Sequence, residues 1–154
     1  MPLIGIAAKP IKRGPMQILD RATITTESGL VEDCRSAKMR STKRQVTVLS
    51  IHQWKDACEE LNTILPWYTR RANLCVRGMV FGPSDVGQLL SILSGDDEVL
   101  LEVTGETTPC NRMDEAFMGL KQALTPVWRG GVTCRVVQGG YIHLNAAVLK
   151  MQPA

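Results

Sequence analysis

Strand-like alternation runs through most of this sequence, and only two stretches break it with helical spacing. Side chains on a strand point to opposite faces in turn, so this pattern restricts the chain to a β-rich fold. Leu3–Ala7 and Gln17–Thr25 read as strands separated by the Pro/Gly stretch KPIKRGP. Lys43–Leu49 resumes β character through its β-branched residues. From Arg70 onward, Arg71, Asn73 and Cys75 face one way while Ala72, Leu74 and Val76 face the other. Gly87–Leu93 and Glu98–Thr104 follow, joined by a turn at Ser94-Gly95-Asp96-Asp97. Val132–Gln138 and Tyr141–Leu149 flank Gly139-Gly140, whose tolerance of positive φ predicts a tight hairpin. Glu27–Lys43 is polar and irregular, with too few apolar positions for a core element.

The first helical stretch, Ser50–Asn62, has a recognisable start. Ser50 and Gln53 fit a capping box, in which each side chain satisfies an orphan backbone donor. Ile51, Trp54, Ala57, Cys58 and Leu61 form one apolar stripe, and Pro66 ends any continuation. After Cys110, a second short helix carries Met113, Phe117, Leu120 and Leu124 and closes at Pro126. Six or seven strands with two helices predict a mostly β, closed sheet. No linker or repeat divides residues 1–154, so one domain is expected.

Composition narrows the function. No apolar run approaches the ~20 residues of a membrane helix. The opening apolar stretch precedes its charges, the reverse of a signal peptide, so a cytoplasmic protein is expected. A net charge of +3 is too small to argue for nucleic acid. Position matters more, because bases cluster at Lys9, Lys12 and Arg13, from Arg35 to Arg44, and at Arg70 and Arg71. Together they would suit a phosphorylated ligand. The 5 cysteines are odd in number with no C-x-x-C pair, which predicts reduced thiols and no zinc finger. Cys58, Cys75 and Cys134 read as packing, Cys34 lies in a polar loop, and His52 and His143 read as structural.

Gly105–Met113 carries the chemistry. The segment leaves an apolar strand, turns through Gly and Pro, and delivers Cys110 just before a helix. Helix starts favour negative charge, and Arg112 adds to that effect, so the thiolate is favoured. A thiolate serves a soft metal or sulfur transfer equally well.

Three blocks in order, LPWYTRRANLCVRG, VLLEVTGETTPCNRMDE and RGGVTCRVVQGGYI, resemble the MOSC family, relatives of the C-terminal domain of molybdenum cofactor sulfurase. KPIKRGPM and ITTESGLVED match the family's opening strands, so the resemblance covers nearly the whole chain. It implies a distorted closed β-barrel with a few short flanking helices and an exposed cysteine, here Cys110. In some relatives that cysteine ligates molybdenum in a pterin cofactor; in others it carries sulfur as a persulfide. The R-x-N pattern falls on Arg71 and Asn73, which the resemblance assigns to holding the cofactor. Lys9, Arg35 and Thr108 match positions that contact its phosphate or pterin, with Lys12 competing for the role of Lys9. Two positions depart from the pattern: Glu32-Asp33 and Asn145-Ala146 each stand where the family shows Gly-Asp.

The resemblance implies molybdenum cofactor (molybdopterin) binding, with Cys110 as metal ligand and catalytic residue. It implies an oxidoreductase acting on small N-hydroxylated compounds, with electrons from a donor protein. The alternatives are a sulfur carrier that passes a persulfide from Cys110 to an acceptor, and a non-catalytic binding module. No pyridoxal phosphate, nucleic acid or membrane partner is expected.

Overall fold

The computed structural model describes residues 2–11, 14–33 and 44–152. Among the described residues, eleven strands fall into two sheets. The larger holds β1 (Leu3–Ala8), β2 (Gln17–Leu19), β5 (Val46–Ser50), β6 (Leu74–Val76), β7 (Leu89–Ser94), β8 (Asp97–Glu106), β9 (Val132–Gln138) and β11 (Ala147–Met151). Its strand order is β11-β7-β8-β9-β5-β6-β1-β2. The smaller sheet joins β10 (Gly140–His143), β3 (Arg21–Thr25) and β4 (Gly29–Leu30) in the order β10-β3-β4.

The mostly β, barrel-like expectation holds, with one difference in closure. The large sheet curls into a half-barrel and stays open. β1 is already flanked by β6 and β2, leaving only its first residues to reach β11. There Pro2 bridges Ala147, Leu3 N–H donates to Ala146 O at 2.8 Å, and Asn145 N–H donates to Leu3 O at 2.8 Å. The curl follows from β8, whose register against β9 shifts at Leu100/Leu101 and again at Val103/Gly105. Such bulges bend a strand and increase its twist.

The expected hairpin across Gly139-Gly140 does not form. Both edges of β9 are occupied, by β8 and β5, so β10 crosses to the smaller sheet and pairs with β3. Gly139 is needed for close approach, since a Cβ there would collide with Ile24 O. Gln17–Thr25 likewise divides at Asp20, its halves entering different sheets as β2 and β3. Within Glu27–Lys43, Leu30 is fully buried and β4 pairs with β3, so this stretch does contribute to the core. The turn at Ser94–Asp97 closes β7 on β8 as expected.

α1 (Ile51–Glu60) links β5 to β6, the one parallel pair among the described strands. Ser50 caps it by accepting from Gln53 N–H at 3.4 Å. Only half of the capping box is present, because the Gln53 amide bonds Phe81 O, Val127 O and Phe81 N–H instead. Trp54, Ala57 and Cys58 are buried, with Ile51 and Leu61 packed beside them, in a second core under the helices. The expected second helix is two, α2 (Asn111–Ala116) and α3 (Leu120–Leu124), parted at Gly119 with φ 92°. No described helix is long and apolar enough to cross a membrane.

Candidate functional site

The thiol comes from the end of β8. The chain leaves the sheet after Glu106, tied by a Thr107 N–H bond to Gly131 O at 2.9 Å. Pro109 is buried and Cys110 exposed, in extended conformation (φ -126°), immediately before α2. Its carbonyl accepts from Met113 N–H at 3.0 Å.

A single 3-10 turn, Trp67–Arg70, delivers the two arginines. Arg71 ends it in the left-handed region (φ 68°), which redirects the chain before β6. Arg70 is buried, and its Nε and Nη2 donate to Gly130 O at 3.0 Å and Thr107 O at 2.8 Å. Burial lowers the Arg70 pKa below the usual guanidinium value, opposed by the charges of Cys110 and Glu106. Arg71 Nη2 reaches the other way and donates to Gly14 O at 3.2 Å.

These elements enclose a cleft of about 310 Å³. Lys9, Arg44, Arg70, Arg71 and Arg112 line it together with Cys110, Thr107, Met16, Thr47, Ala72 and Met113. Among the described residues no carboxylate lines it, so every Lys, Arg, Asp or Glu on its wall is basic. Thr107 Oγ1 is buried there without a hydrogen-bond partner. A basic, partly buried wall with an unused hydroxyl suits an anionic ligand with several acceptor oxygens.

Of the residues singled out from the sequence, Lys9, Arg71 and Cys110 meet in this cleft. Asn73 does not line it. That side chain is buried, donates to Ala7 O at 3.3 Å and Asp33 Oδ2 at 3.1 Å, and accepts from Thr47 N–H at 3.2 Å. Thr108 is exposed and outside the lining. Arg35, Lys12 and Cys34 lie outside the described residues. Sequence reasoning placed Arg44 and Arg70 only in basic clusters suited to a phosphorylated ligand, and missed Thr107. The signal for Arg70 was its adjacency to Arg71, and for Thr107 its place beside Thr108 in the approach to Cys110.

The remaining candidates lie outside the lining of this cleft. Cys58, Cys75 and Cys134 are buried in the cores. Burial pushes all three thiols up, Cys75 to about 12. His52 Nε2 accepts from Gly78 N–H at 2.8 Å. His143 is exposed, with Nδ1 2.9 Å from Leu144 O. Among the described residues no cluster of His, Cys, Asp and Glu could hold a metal ion.

Comparison with known proteins settles the family. The family model of the MOSC domain matches residues 35–149. The chain belongs to the MOSC domain family. Among solved structures, the YuaD protein from Bacillus subtilis superposes with a TM-score of 0.78 at 17% identity, covering 99% of this MOSC chain and 96% of that one. YiiM from Geobacillus stearothermophilus gives 0.71 at 14% identity, covering 97% and 74%. YiiM from Escherichia coli gives 0.66 at 17% identity, covering 100% and 71%. At these identities the likeness is one of fold. No curated protein gives a significant match to the sequence.

The two departures from the family pattern also find a place in the MOSC fold. Glu32 accepts from Thr23 N–H at 3.2 Å, bracing β3. Asn145 adopts φ 71°, a conformation that glycine takes freely and that Asn tolerates better than most residues.

Proposed function

We propose that this MOSC-domain chain binds the molybdenum cofactor in the basic cleft and reduces small N-hydroxylated compounds, with Cys110 Sγ as the metal ligand. The observation that carries this reading is the convergence of five cationic side chains on one exposed thiol, with no carboxylate among the described lining residues. The donor set fits the group: a soft anionic sulfur for molybdenum, and planar guanidinium forks for a phosphate. Arg71, Arg112, Arg44 and Lys9 would hold the phosphate and pterin oxygens, with the Arg70 charge adding to the field of the cleft wall. Thr107 Oγ1, buried and without a partner, would donate one further hydrogen bond.

When bound, the cofactor supplies two-electron oxygen-atom chemistry, and an electron-donor protein replenishes it. The chain itself fixes the thiol at the cleft mouth, neutralises the ligand's charge and orients it by hydrogen bonds. The apolar part of its lining, Met16, Ala72 and Met113, would help to exclude water.

The test is metal analysis of protein purified from a molybdenum-replete, cofactor-competent host, followed by assay of an aromatic amidoxime with a chemical reductant. Stoichiometric molybdenum and amidine formation are expected, both lost in Cys110→Ser. A wild-type protein without molybdenum would overturn the reading. The sulfur-carrier alternative uses the same exposed Cys110, and a persulfide found on that residue by mass spectrometry would establish it instead.

A further inference from the structure

Arg70 holds the turn that carries Cys110 at points on both sides of the thiol. Ahead of it, Nη2 donates to Thr107 O at 2.8 Å; beyond it, Nη1 lies 3.9 Å from Met113 Sδ. Nε anchors the same guanidinium to Gly130 O at 3.0 Å. Gly130 makes this approach feasible, since a Cβ there would sit 2.5 Å from Thr107 O and 3.2 Å from Arg70 Nη2.

The side chain is only 6% exposed, yet all three of these partners are uncharged. Among the described residues no carboxylate forms an ion pair with it. A buried charge without a direct ion pair is costly, and a neutral donor would clamp two carbonyls as well. The charge therefore has its use on the cleft side, where Arg70 borders the same space as Cys110.

We propose that Arg70 is a positioning residue for Cys110: it clamps the thiol-bearing turn and puts a positive charge on the cleft wall that it shares with this thiol, so that the thiol reacts by preference with anionic partners. The inference rests on the reading of Cys110 as the reacting group of the cleft, and it requires no bound metal. Lysine would keep the charge but could not bridge both carbonyls in fixed geometry. Methionine would remove charge and clamp together.

The test alkylates the cofactor-free full-length chain with iodoacetate and with iodoacetamide, reading Cys110 by mass spectrometry. In both reactions the thiolate attacks the CH2 carbon, a C–S bond forms, the C–I bond breaks and iodide leaves. Both consume the same thiolate, so the ratio of the two rates reports the local field and not the thiolate population. Hydrogen exchange through residues 108–113 reports the clamp.

In the wild type the iodoacetate-to-iodoacetamide ratio should exceed that of the urea-unfolded chain. Arg70→Met should lower the ratio about fivefold, by loss of one nearby charge. Arg135→Met, which removes one charge outside the cleft, should leave it unchanged. Arg70→Lys should hold the ratio within about twofold of wild type while the turn exchanges faster. An unchanged ratio in Arg70→Met, or unchanged turn exchange in Arg70→Lys, overturns the proposal. If Arg70→Met does not fold, the exchange in Arg70→Lys decides alone. The two readings fail separately: a chain that retains no molybdenum but shows these shifts keeps the Arg70 assignment, and one that retains molybdenum with a flat ratio loses it.

Discussion

Asn73 Nδ2 lies 3.1 Å from Asp33 Oδ2, and both side chains are buried. Through this contact the residue before β6 is tied to the segment that follows β4. Asn73→Ala should therefore cost about 1–3 kcal/mol of stability, because buried polar partners lose a hydrogen bond. Asn73→Asp should cost more, by bringing a second carboxylate against Asp33. Urea unfolding checks both, and an unperturbed midpoint for Asn73→Ala would refute the structural role.

Cys110 is exposed while Cys58 and Cys75 are buried, so their serine variants should separate cleanly. Cys110→Ser should lose molybdenum retention and N-hydroxyl reduction with a stability change within about 0.5 kcal/mol. Cys58→Ser and Cys75→Ser should act only through stability, each losing about 1–3 kcal/mol by burying a hydroxyl. In the native cofactor-free chain, Cys110 should be alkylated faster than Cys58, Cys75 and Cys134, as peptide mapping would show.

Alkaline pH should destabilise the fold through its buried thiols. Burial pushes the Cys75 thiol up to about 12 from an ordinary value of 9.0, against the opposing pull of Arg77 and Lys55. Cys134 is raised as well, by burial and then by Glu102. Above the ordinary value the unfolded chain has lost these protons and the folded chain still holds them. Stability is thus full below pH 9.0 and falls as pH rises toward about 12. Each thiol contributes a slope approaching roughly 1.4 kcal/mol per pH unit. Urea unfolding from neutral pH to about pH 10 should show the decline, and Cys75→Ala should flatten it.

Asn145 should tolerate glycine better than alanine. Its φ of 71° favours Gly or Asn, so Asn145→Ala should cost about 1 kcal/mol and Asn145→Gly little. Thermal unfolding of the two variants makes the comparison. Equal losses would show that the Asn side chain, and not the backbone conformation, matters at this position.

Some of this architecture was legible because one physical signal decided it. The stripe from Ile51 to Leu61 and the Ser50 cap fix α1 without reference to anything distant. The turn at Ser94–Asp97 is equally local. Gly139-Gly140 misleads because the freedom that permits a hairpin also permits a crossing between sheets. Only the occupied edges of β9 distinguish the two. Asn73 misleads for a related reason, since alternation cannot tell a polar side chain facing a cleft from one buried in a hydrogen-bond network. Strict alternation would also send Arg70 and Arg71 to opposite faces. The 3-10 turn and the left-handed Arg71 bring both to one cleft instead.

The seam between Leu3 and the Asn145–Ala146 pair bears on how the protein is made. During synthesis Leu3 emerges early, whereas the backbone groups that it pairs with emerge after β10. Until then the rim of β1 is an unfinished edge beside buried apolar side chains such as Ile6. Nascent chains stalled between β10 and Asn145 would display that edge to chaperones and to one another, so translation pauses in that interval would be prone to aggregation.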